Sequence, residues 1–192
     1  MLIDVYDFDG TIYNGDSTAD LVLFCLRRHP QILAGLPRIA GAAMKLAGKK
    51  IGLTRFKGIL FAEMAKYIDL NTEAGLFWLH PKTRRKLGAW FNATPRDLPI
   101  VIASASPEFE LTHAARMLGV KTLVGTQCDP YTGEIRGKNC KGEEKIPRIR
   151  EALGCEYTVR AMYTDDAKAD GPLLALAQEK YLVTRGKVRK IG

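Results

Sequence analysis

The sequence predicts an α/β fold, a doubly wound parallel sheet into which an all-helical segment is inserted. The chain of 192 residues opens with a short apolar run, Leu2–Tyr6, of the kind that forms a buried strand. Residues 98–184 alternate apolar, strand-like runs with helical patterns, as parallel sheets do. Residues 16–95 carry helical spacing and no strand pattern. We therefore expect a core of residues 1–15 and 96–192 and a helical domain of residues 16–95.

Two carboxylates follow the first strand directly. Asp7 and Asp9 are separated by one residue, and Gly10 then lets backbone N–H groups approach a ligand. Ligands of open α/β sheets bind at the carboxyl ends of the strands. Two like charges about 4 Å apart repel by roughly 4 kcal/mol at an effective dielectric of 20, so a hard cation such as Mg²⁺ would stabilise the pair. The simpler alternative is that these residues only form a turn or cap a helix.

The helical segment begins with the N-cap candidates Asp16, Ser17 and Thr18, and its first helix is expected to extend to Arg28, before Pro30. Further helices are expected over residues 53–67 and 72–91, the second interrupted near residue 81, with a broken apolar stretch at 31–48.

Basic charge is concentrated in the same segment. Between residues 20 and 96 there are 14 of the 29 Lys and Arg residues but only 4 of the 21 Asp and Glu residues, which gives this stretch a net charge of +10 and the rest of the chain −2. A basic face attracts anions such as phosphorylated metabolites, anionic lipid or nucleic acid. Alternatively, and equally well supported, the basic residues only form the solvent-exposed surface of the helices.

The second half of the chain alternates regularly between the two kinds of element. Strands are expected at residues 98–103, 120–124, 157–163 and 181–184, and helices at 108–118, 146–153 and 172–178. The Asp-Pro-Tyr-Thr-Gly sequence at 129–133 predicts a turn in a short hairpin. After the strand at 157–163, Asp165, Asp166 and Asp170 place three carboxylates within six residues, a pattern that suits oxygen ligation of a cation.

The segment Asp7-Phe8-Asp9-Gly10-Thr11 resembles the first motif of the haloacid dehalogenase-like superfamily of phosphatases. Three further motifs of that superfamily follow in the expected order: a strand ending at Ser104, Lys145 before a helix, and Asp166 four residues before Asp170. The resemblance implies a Rossmann-like core, an inserted helical cap, and a Mg²⁺-dependent phosphatase that forms an aspartyl-phosphate.

The resemblance also implies a role for each motif residue. Asp7 would be the nucleophile, and Asp9 the general acid and base. The Ser104 hydroxyl and the Ala105 backbone N–H would contact phosphate, and the charge of Lys145 would offset that of the substrate. The residue-level alternative for the second motif is that Ser104 or Ser106 only caps the following helix.

Mg²⁺ would be held by Asp7, the backbone carbonyl of Asp9, and Asp166, with Asp165 and Asp170 in supporting positions. Because Asp165 replaces the more usual Gly or Ser, the choice between the two neighbouring aspartates stays open.

Lys145 is preferred as the phosphate lysine because it directly precedes the apolar helical pattern, with Lys141 and Lys138 as alternatives. The remaining substrate contacts expected are Gly10, Thr11 and Asp16.

The substrate is less determined than the reaction. An acidic residue in the position of Asp16 is similar to phosphoserine phosphatases, whereas Cys140-x-Gly142-x-Glu144-Lys145 resembles lipid-phosphate phosphatases of the phosphatidylglycerophosphatase C type. We therefore expect either a small phosphorylated metabolite or a lipid phosphate. A lipid substrate would give the apolar residues of the helical segment a role at a membrane surface. The simpler alternative, which we favour, is that they form the core of that segment: Ile32, Leu33, Leu36, Ile39, Met44 and Leu46.

Two other functions stay open: a phosphotransferase with the same intermediate, and a basic binding module with weak or no catalysis. Nucleic acid is not expected as a partner, because aromatic residues are not interleaved with the cations. Peripheral contact with an anionic membrane is a further expectation.

Several classes of protein are disfavoured by composition. No apolar run reaches about 18 residues, so no transmembrane helix is expected, and the early acidic residues argue against a leader peptide. The four cysteines are scattered without a C-x-x-C pair, which predicts reduced thiols and a cytoplasmic location.

Overall fold

The computed structural model describes residues 1–192 and contains one six-stranded sheet. The strands, in chain order, are β1 (Leu2–Tyr6), β2 (Ile100–Pro107), β3 (Thr122–Thr126), β4 (Thr158–Thr164), β5 (Ala177–Thr184) and β6 (Lys187–Lys190). Their order in the sheet is β3-β2-β1-β4-β5-β6, and all pairs are parallel except the antiparallel pair of β5 with β6. The predicted doubly wound α/β fold is confirmed.

Six α-helices lie between β1 and β2, as the sequence predicts for this stretch. They are α1 (Ser17–Arg28), α2 (Leu36–Ala47), α3 (Leu53–Ala65), α4 (Leu70–Leu79), α5 (Pro81–Arg84) and α6 (Ala89–Ala93), with a 3₁₀ turn at Pro30–Gly35. We call residues 17–93 the helical insertion. Three further helices connect the later strands: α7 (Glu108–Met117), α8 (Lys145–Leu153) and α9 (Gly171–Leu176).

The expected boundaries after residue 96 need several corrections, among them a third strand that runs from Thr122 to Thr126 instead of 120–124. The second strand begins at Ile100 and continues to Pro107, beyond its expected end. The helix expected to reach residue 178 ends at Leu176, because Ala177 already pairs with Val159 of β4. The last strand is therefore longer than predicted, and β6 was not predicted, since its four residues are all exposed and give no apolar signal.

The sheet separates two apolar layers because side chains alternate along each strand. On one face, Tyr6 and Ile102 pack with aromatic residues of the helical insertion, among them the fully buried Trp78. On the other face, Val5 and Val101 pack under α8 and α9. The helical insertion is thus anchored to one face of the sheet through α4 and α7, which pack on each other.

Helix α2 is the least buried part of the insertion, with Ala42 as its one buried residue. Leu33, Leu36 and Met44 are 50%, 51% and 73% exposed. The favoured expectation that these residues form a core is therefore wrong for all three, although Ile32 is buried as expected.

None of the helices combines the length and apolar composition that a bilayer crossing requires. All four cysteines are free thiols, three of them buried.

Candidate active site

The carboxyl ends of the three central strands meet at one edge of the sheet, because β2, β1 and β4 are neighbours. Asp7 follows β1, Ser104 lies near the end of β2, and Asp165 follows β4. Lys145 opens α8 beside them. These residues line a single cavity of about 930 Å³ between the sheet edge and the helical insertion.

Lys145 is the buried cation of this cavity. Its ammonium lies 2.9 Å from Asp7 Oδ1 and 2.6 Å from Asp170 Oδ1, and the residue is only 2% exposed. Burial raises the pKa of Asp7 to about 7 against the opposing attraction of Lys145. Burial also disfavours the charged lysine, but the two carboxylates outweigh it and raise the pKa of Lys145. Lys145 is therefore a charged group held directly against Asp7.

Lys145 was predicted in preference to two neighbours, and the three occupy different positions. Lys141 also lines the cavity but is exposed. Lys138 lies outside the cavity, with its ammonium 3.9 Å from Glu144 Oε2.

Asp9 is held by both of its carboxylate oxygens. The backbone N–H of Ser17 donates to Oδ1 at 2.6 Å, and the hydroxyl of Ser106 donates to Oδ2 at 2.5 Å. Burial raises the pKa of Asp9, and these hydrogen bonds oppose the rise. The alternative that Ser106 caps the next helix is wrong, because Pro107 occupies the N-cap of α7 and no side chain caps it.

Ser104 and Ala105 line the cavity where β2 ends. The Ser104 hydroxyl is buried and accepts a hydrogen bond from the N–H of Ser106 at 3.1 Å. The Ala105 carbonyl accepts from Thr126 Oγ1 at 2.8 Å and from Lys57 Nζ at 3.0 Å. Lys57 belongs to α3, so this contact joins the helical insertion to the second motif.

Three of the predicted substrate contacts follow Asp9 in the chain, and the structure brings two of them, Gly10 and Asp16, to the cavity. Gly10 lines the cavity with φ of +73°, and a side chain there would collide with the Asp165 carboxylate, which explains the glycine. Its N–H is engaged with the Gly15 carbonyl at 2.9 Å. Thr11 lies behind the cavity wall, with its hydroxyl 3.5 Å from Asp165 Oδ1. Asp16 lines the cavity and caps α1 by accepting from Ala19 N at 2.8 Å, which confirms the N-cap prediction.

The two neighbouring aspartates after β4 differ in what their carboxylates contact. Asp166 accepts from the backbone N–H groups of Ala169 and Lys168 at 2.9 and 3.1 Å, and these bonds lower its pKa. Asp165 lies over Gly10 without an ion pair, and burial raises its pKa, with the charge of Asp9 among the further causes. Asp165 is therefore the one whose carboxylate faces the first motif.

Asp170 supports the site from beneath. It is 2% exposed, pairs with Lys145, and accepts from Thr164 Oγ1 at 2.7 Å through its second oxygen. This placement agrees with the supporting position expected for it.

No three Asp, Glu, His or Cys side chains converge closely enough to hold a metal ion by themselves. Asp7, Asp165 and Asp166 nevertheless each keep one carboxylate oxygen without a hydrogen-bond or ion-pair partner. Carboxylate oxygens completed by a backbone carbonyl and water are a donor set that suits Mg²⁺.

Three residues near the site were not found from the sequence. Lys57 is one lysine among many in a basic segment. Thr18 was considered only as an N-cap. Glu110 looks like an ordinary exposed acid at the start of a helix, yet it is 0% exposed. No local pattern distinguishes these residues, since their positions depend on how α1, α3 and α7 pack.

The far wall of the cavity is apolar and comes entirely from the helical insertion. Its side chains are Val22, Leu26, Ile32, Leu33, Leu36, Ile39, Leu53, Phe56, Leu60 and Met64. One end of the cavity thus carries charge and the other offers hydrocarbon surface.

A family model described as haloacid dehalogenase-like hydrolase matches residues 5–175 of this chain. Among curated proteins, CicA of Caulobacter vibrioides is 28% identical over 198 residues, which cover 97% of this chain and 88% of CicA.

Solved structures share the fold. A protein of unknown function from Bordetella pertussis Tohama I superposes with a TM-score of 0.69 at 20% identity, covering 93% of this chain and 88% of that one. A phosphoserine phosphohydrolase-like protein from Francisella tularensis superposes with a TM-score of 0.59 at 17% identity, covering 94% and 86% of the two chains.

Proposed function

This chain belongs to the haloacid dehalogenase-like hydrolases, and from that premise we propose that it hydrolyses phosphomonoesters through an aspartyl-phosphate on Asp7. The observation that carries the proposal is the Lys145 ammonium, 2.9 Å from Asp7 Oδ1 and itself buried. A cation in that place opposes the rise in the pKa of Asp7, so it favours the carboxylate that attacks, and it offsets the charge of an incoming phosphoryl group.

The proposed steps use groups that already face one another. A free oxygen of Asp7 attacks phosphorus, and the bond from phosphorus to the leaving alkoxide breaks. Asp9, in its acid form, gives its proton to that alkoxide, and then takes a proton from the water that hydrolyses the aspartyl-phosphate. We propose that the hydroxyl of Ser104 and the N–H of Ala105, two residues that line the cavity, bind phosphoryl oxygens.

We propose Mg²⁺ as the cofactor, held by Asp7, the Asp9 backbone carbonyl and Asp165. The sequence favours Asp166, but the backbone N–H groups of Lys168 and Ala169 already bind Asp166 Oδ1, whereas Asp165 faces Gly10 and has the Thr11 hydroxyl at 3.5 Å from its Oδ1. We therefore propose Asp165 for this position. When bound, the ion would supply positive charge for the phosphoryl oxygens.

A matched pair of variants tests the metal assignment. Hydrolysis of p-nitrophenyl phosphate is followed against Mg²⁺ concentration, after chelation, for wild type, Asp165→Asn and Asp166→Asn. We expect Asp165→Asn to raise the Mg²⁺ concentration for half-activity by at least about tenfold, and Asp166→Asn to change it less. The reverse order would restore Asp166 as the ligand, and chelator-resistant wild-type activity would exclude a metal requirement.

We propose that residues 16–95 act as a cap that selects substrates, over a core of residues 1–15 and 96–192. The apolar far wall supports a substrate whose alcohol carries a hydrocarbon group, such as a lipid phosphate, over a small polar metabolite. Leu33 and Leu36 are half exposed on that wall. A hydrocarbon group of the substrate could therefore bury apolar surface that is exposed to solvent in the free protein.

A series of alkyl phosphates of increasing length tests this preference. If the wall binds hydrocarbon, kcat/KM rises with length by up to about fourfold for each CH₂ buried. Leu36→Ser reduces the gain, whereas Leu176→Ser, at a leucine of similar exposure (49% against 51%) outside the cavity, leaves it in place. Equal kcat/KM across the series would favour a small metabolite instead.

We also propose peripheral contact with an anionic membrane through the exposed apolar residues beside the cavity. Met44 is 73% exposed. In the sequence it is preceded by the cation Arg38 and followed by Lys45, Lys49 and Lys50, all of them exposed. Co-sedimentation with phosphatidylglycerol vesicles, titrated with salt, should show binding that Met44→Asp weakens. The absence of binding at low salt contradicts this proposal without affecting the hydrolase assignment.

A phosphotransferase with the same intermediate is separated from a hydrolase by its product. Added alcohols that become phosphorylated in place of water would identify it. A binding module without catalysis would release no phosphate in any of these assays.

A further inference from the structure

A buried chain of hydrogen bonds leads away from Asp9 into the protein. Ser106 donates to Asp9 Oδ2, and Ser106 Oγ lies 3.0 Å from Thr18 Oγ1. The same Thr18 oxygen lies 2.9 Å from Glu110 Oε2. Three consecutive hydrogen bonds therefore connect Glu110 of α7, which is fully buried, to a catalytic carboxylate of the first motif.

Counting the protons leaves two possible directions for these hydrogen bonds, set by whether Glu110 or Asp9 carries the acid proton. Ser106 and Thr18 each have one hydroxyl proton. Ser106 donates its proton in the hydrogen bond to Asp9 Oδ2. If Glu110 were ionised, it could only accept, and Thr18 would donate to Glu110 and leave Ser106 without a donor. If Glu110 carries its proton, it donates to Thr18, Thr18 donates to Ser106, and Ser106 donates to Asp9. The second arrangement supplies one proton for every bond while Asp9 is ionised, whereas the reverse direction needs the proton on Asp9 and an ionised Glu110.

The surroundings of Glu110 favour the protonated arrangement. Glu110 Oε1 has no hydrogen-bond partner, and the Ser17 hydroxyl faces it without completing a bond. Burial, followed by the charge of Asp9, raises the pKa of Glu110 to about 8. The other titratable groups near it are Asp16, Tyr13, Cys25 and Lys57; Lys57 is the cation among them, and it forms no ion pair with Glu110.

We propose that Glu110, as the neutral acid, is a positioning residue that directs the hydroxyl protons of Thr18 and Ser106 onto Asp9 and so holds that carboxylate in its reactive orientation. The inference rests on the proposed function, because the orientation of Asp9 matters only if Asp9 exchanges protons during the reaction. It gives a reason for a buried acid without a countercharge, which is otherwise costly to keep.

The expected kinetic effect is a change in kcat and its pH profile, with KM little affected. In wild type, kcat declines as pH rises through the ionisation of Glu110. In Glu110→Gln the amide donates to Thr18 at every pH. The decline of kcat at alkaline pH should therefore move to higher pH in this variant. Thr18→Val breaks the chain and lowers kcat by roughly tenfold, and Thr18→Ser restores it.

Three outcomes decide the proposal. Wild-type and Asp7→Asn hydrolysis of p-nitrophenyl phosphate first establish the proposed function independently. If Glu110→Gln and wild type then have superimposable pH profiles, or if Thr18→Val changes the melting temperature but not kcat, the chain is only structural and the proposal fails. A loss in Glu110→Gln as large as that in Thr18→Val would make Glu110 a proton donor instead of a positioning residue.

A spectroscopic readout does not depend on activity. The infrared difference spectrum between wild type and Glu110→Gln at pH 7 should contain the carbonyl band of a protonated carboxyl group, which disappears at alkaline pH. Absence of that band at pH 7 would overturn the proposal whatever the enzyme does.

Discussion

The two ends of the cavity are held in different ways. At the sheet end, each reactive group has a defined partner: Lys145 lies between Asp7 and Asp170, and Asp9 is bonded through both oxygens. At the insertion end, the lining is aliphatic and partly exposed, and no directional bond fixes it. In the proposed function, the chemistry, which needs precise placement, uses strand ends and buried ion pairs, whereas selection of a substrate is assigned to the shape between helices.

The same difference appears in the energetics. A buried cation between two carboxylates stabilises both of them, so removing the cation leaves buried negative charge uncompensated, whereas removing one carboxylate leaves the cation paired with the other. An apolar side chain at the cavity wall is nearly independent of its neighbours until a ligand covers it. The two ends should therefore respond very differently to single substitutions, and variants at each end can test the contrast.

The largest effect is expected at Asp7. Asp7→Asn removes the attacking oxygen while keeping the size of the side chain, so kcat for p-nitrophenyl phosphate should fall by about three orders of magnitude or more. The melting temperature should stay close to that of wild type, because Lys145 keeps Asp170 as a partner.

Asp69→Asn is the matched control, because Asp69 caps α4 through Asn71 N and Thr72 N, away from the cavity. It should leave kcat within about twofold of wild type, since asparagine is itself a good N-cap residue. Near-normal activity of Asp7→Asn would remove the basis for the sheet end as a catalytic centre.

The next effect is on stability, at Lys145. Lys145→Met leaves Asp7 and Asp170 buried without a cation, and the free energy of unfolding at pH 8 should fall by about 3–5 kcal/mol. Without Lys145 the pKa of Asp7 rises further, so the folded variant binds protons that the unfolded chain has released. Its stability therefore falls as pH rises from the ordinary carboxyl range through the raised pKa, and the loss at pH 5.5 should be smaller than at pH 8.

Urea unfolding at the two pH values measures this, with Lys190→Met as the control. Lys190 pairs with Glu179 at 2.7 Å on the surface, where water screens the pair, so its removal should cost far less stability than Lys145→Met at pH 8. An equal loss of unfolding free energy for Lys145→Met at both pH values would mean that protonation of Asp7 does not offset the loss of the Lys145 cation.

Much of the sheet end could be predicted because its residues are tied to element ends. An aspartate directly after a buried strand, or a lysine at the first position of a helix, has its location set by the local chain. Asp7 and Lys145 are 138 positions apart in the sequence, yet the parallel order of β1 and its neighbours brings them to one edge. The sequence does not determine whether Asp165 or Asp166 faces Gly10, because the conformation of the turn after β4 decides which of the two carboxylates points toward it.

The insertion end could not be predicted in the same way. Helical spacing gave α1, α3 and α4 to within a few residues, but it did not separate apolar residues that fill a core from those that line a cavity. Ile32 and Leu33 are adjacent and equally apolar, and one is 1% exposed while the other is 50% exposed. That difference depends on which helix passes over each side chain, as does the burial of Glu110 by α1.

The smallest expected effect lies at the contact between the two regions. The predicted turn at 129–133 reaches from the core to α3, where Gly133 adopts a φ of +72° and a Cβ would collide with the backbone of Phe61 and Ala62. Gly133→Ala should therefore displace α3 and raise KM for long alkyl phosphates by a few-fold, with kcat for p-nitrophenyl phosphate changed less than about twofold.

The control is Gly137→Ala, which introduces the same left-handed strain, with φ of +73°, but whose nearest neighbour is Arg148 Nη2 at 3.8 Å. Each variant should lose roughly 1 kcal/mol of stability from backbone strain, and only Gly133→Ala should affect KM. If both variants alter KM alike, α3 is not positioned by the turn, and the boundary between a rigid catalytic end and an adaptable substrate end lies elsewhere.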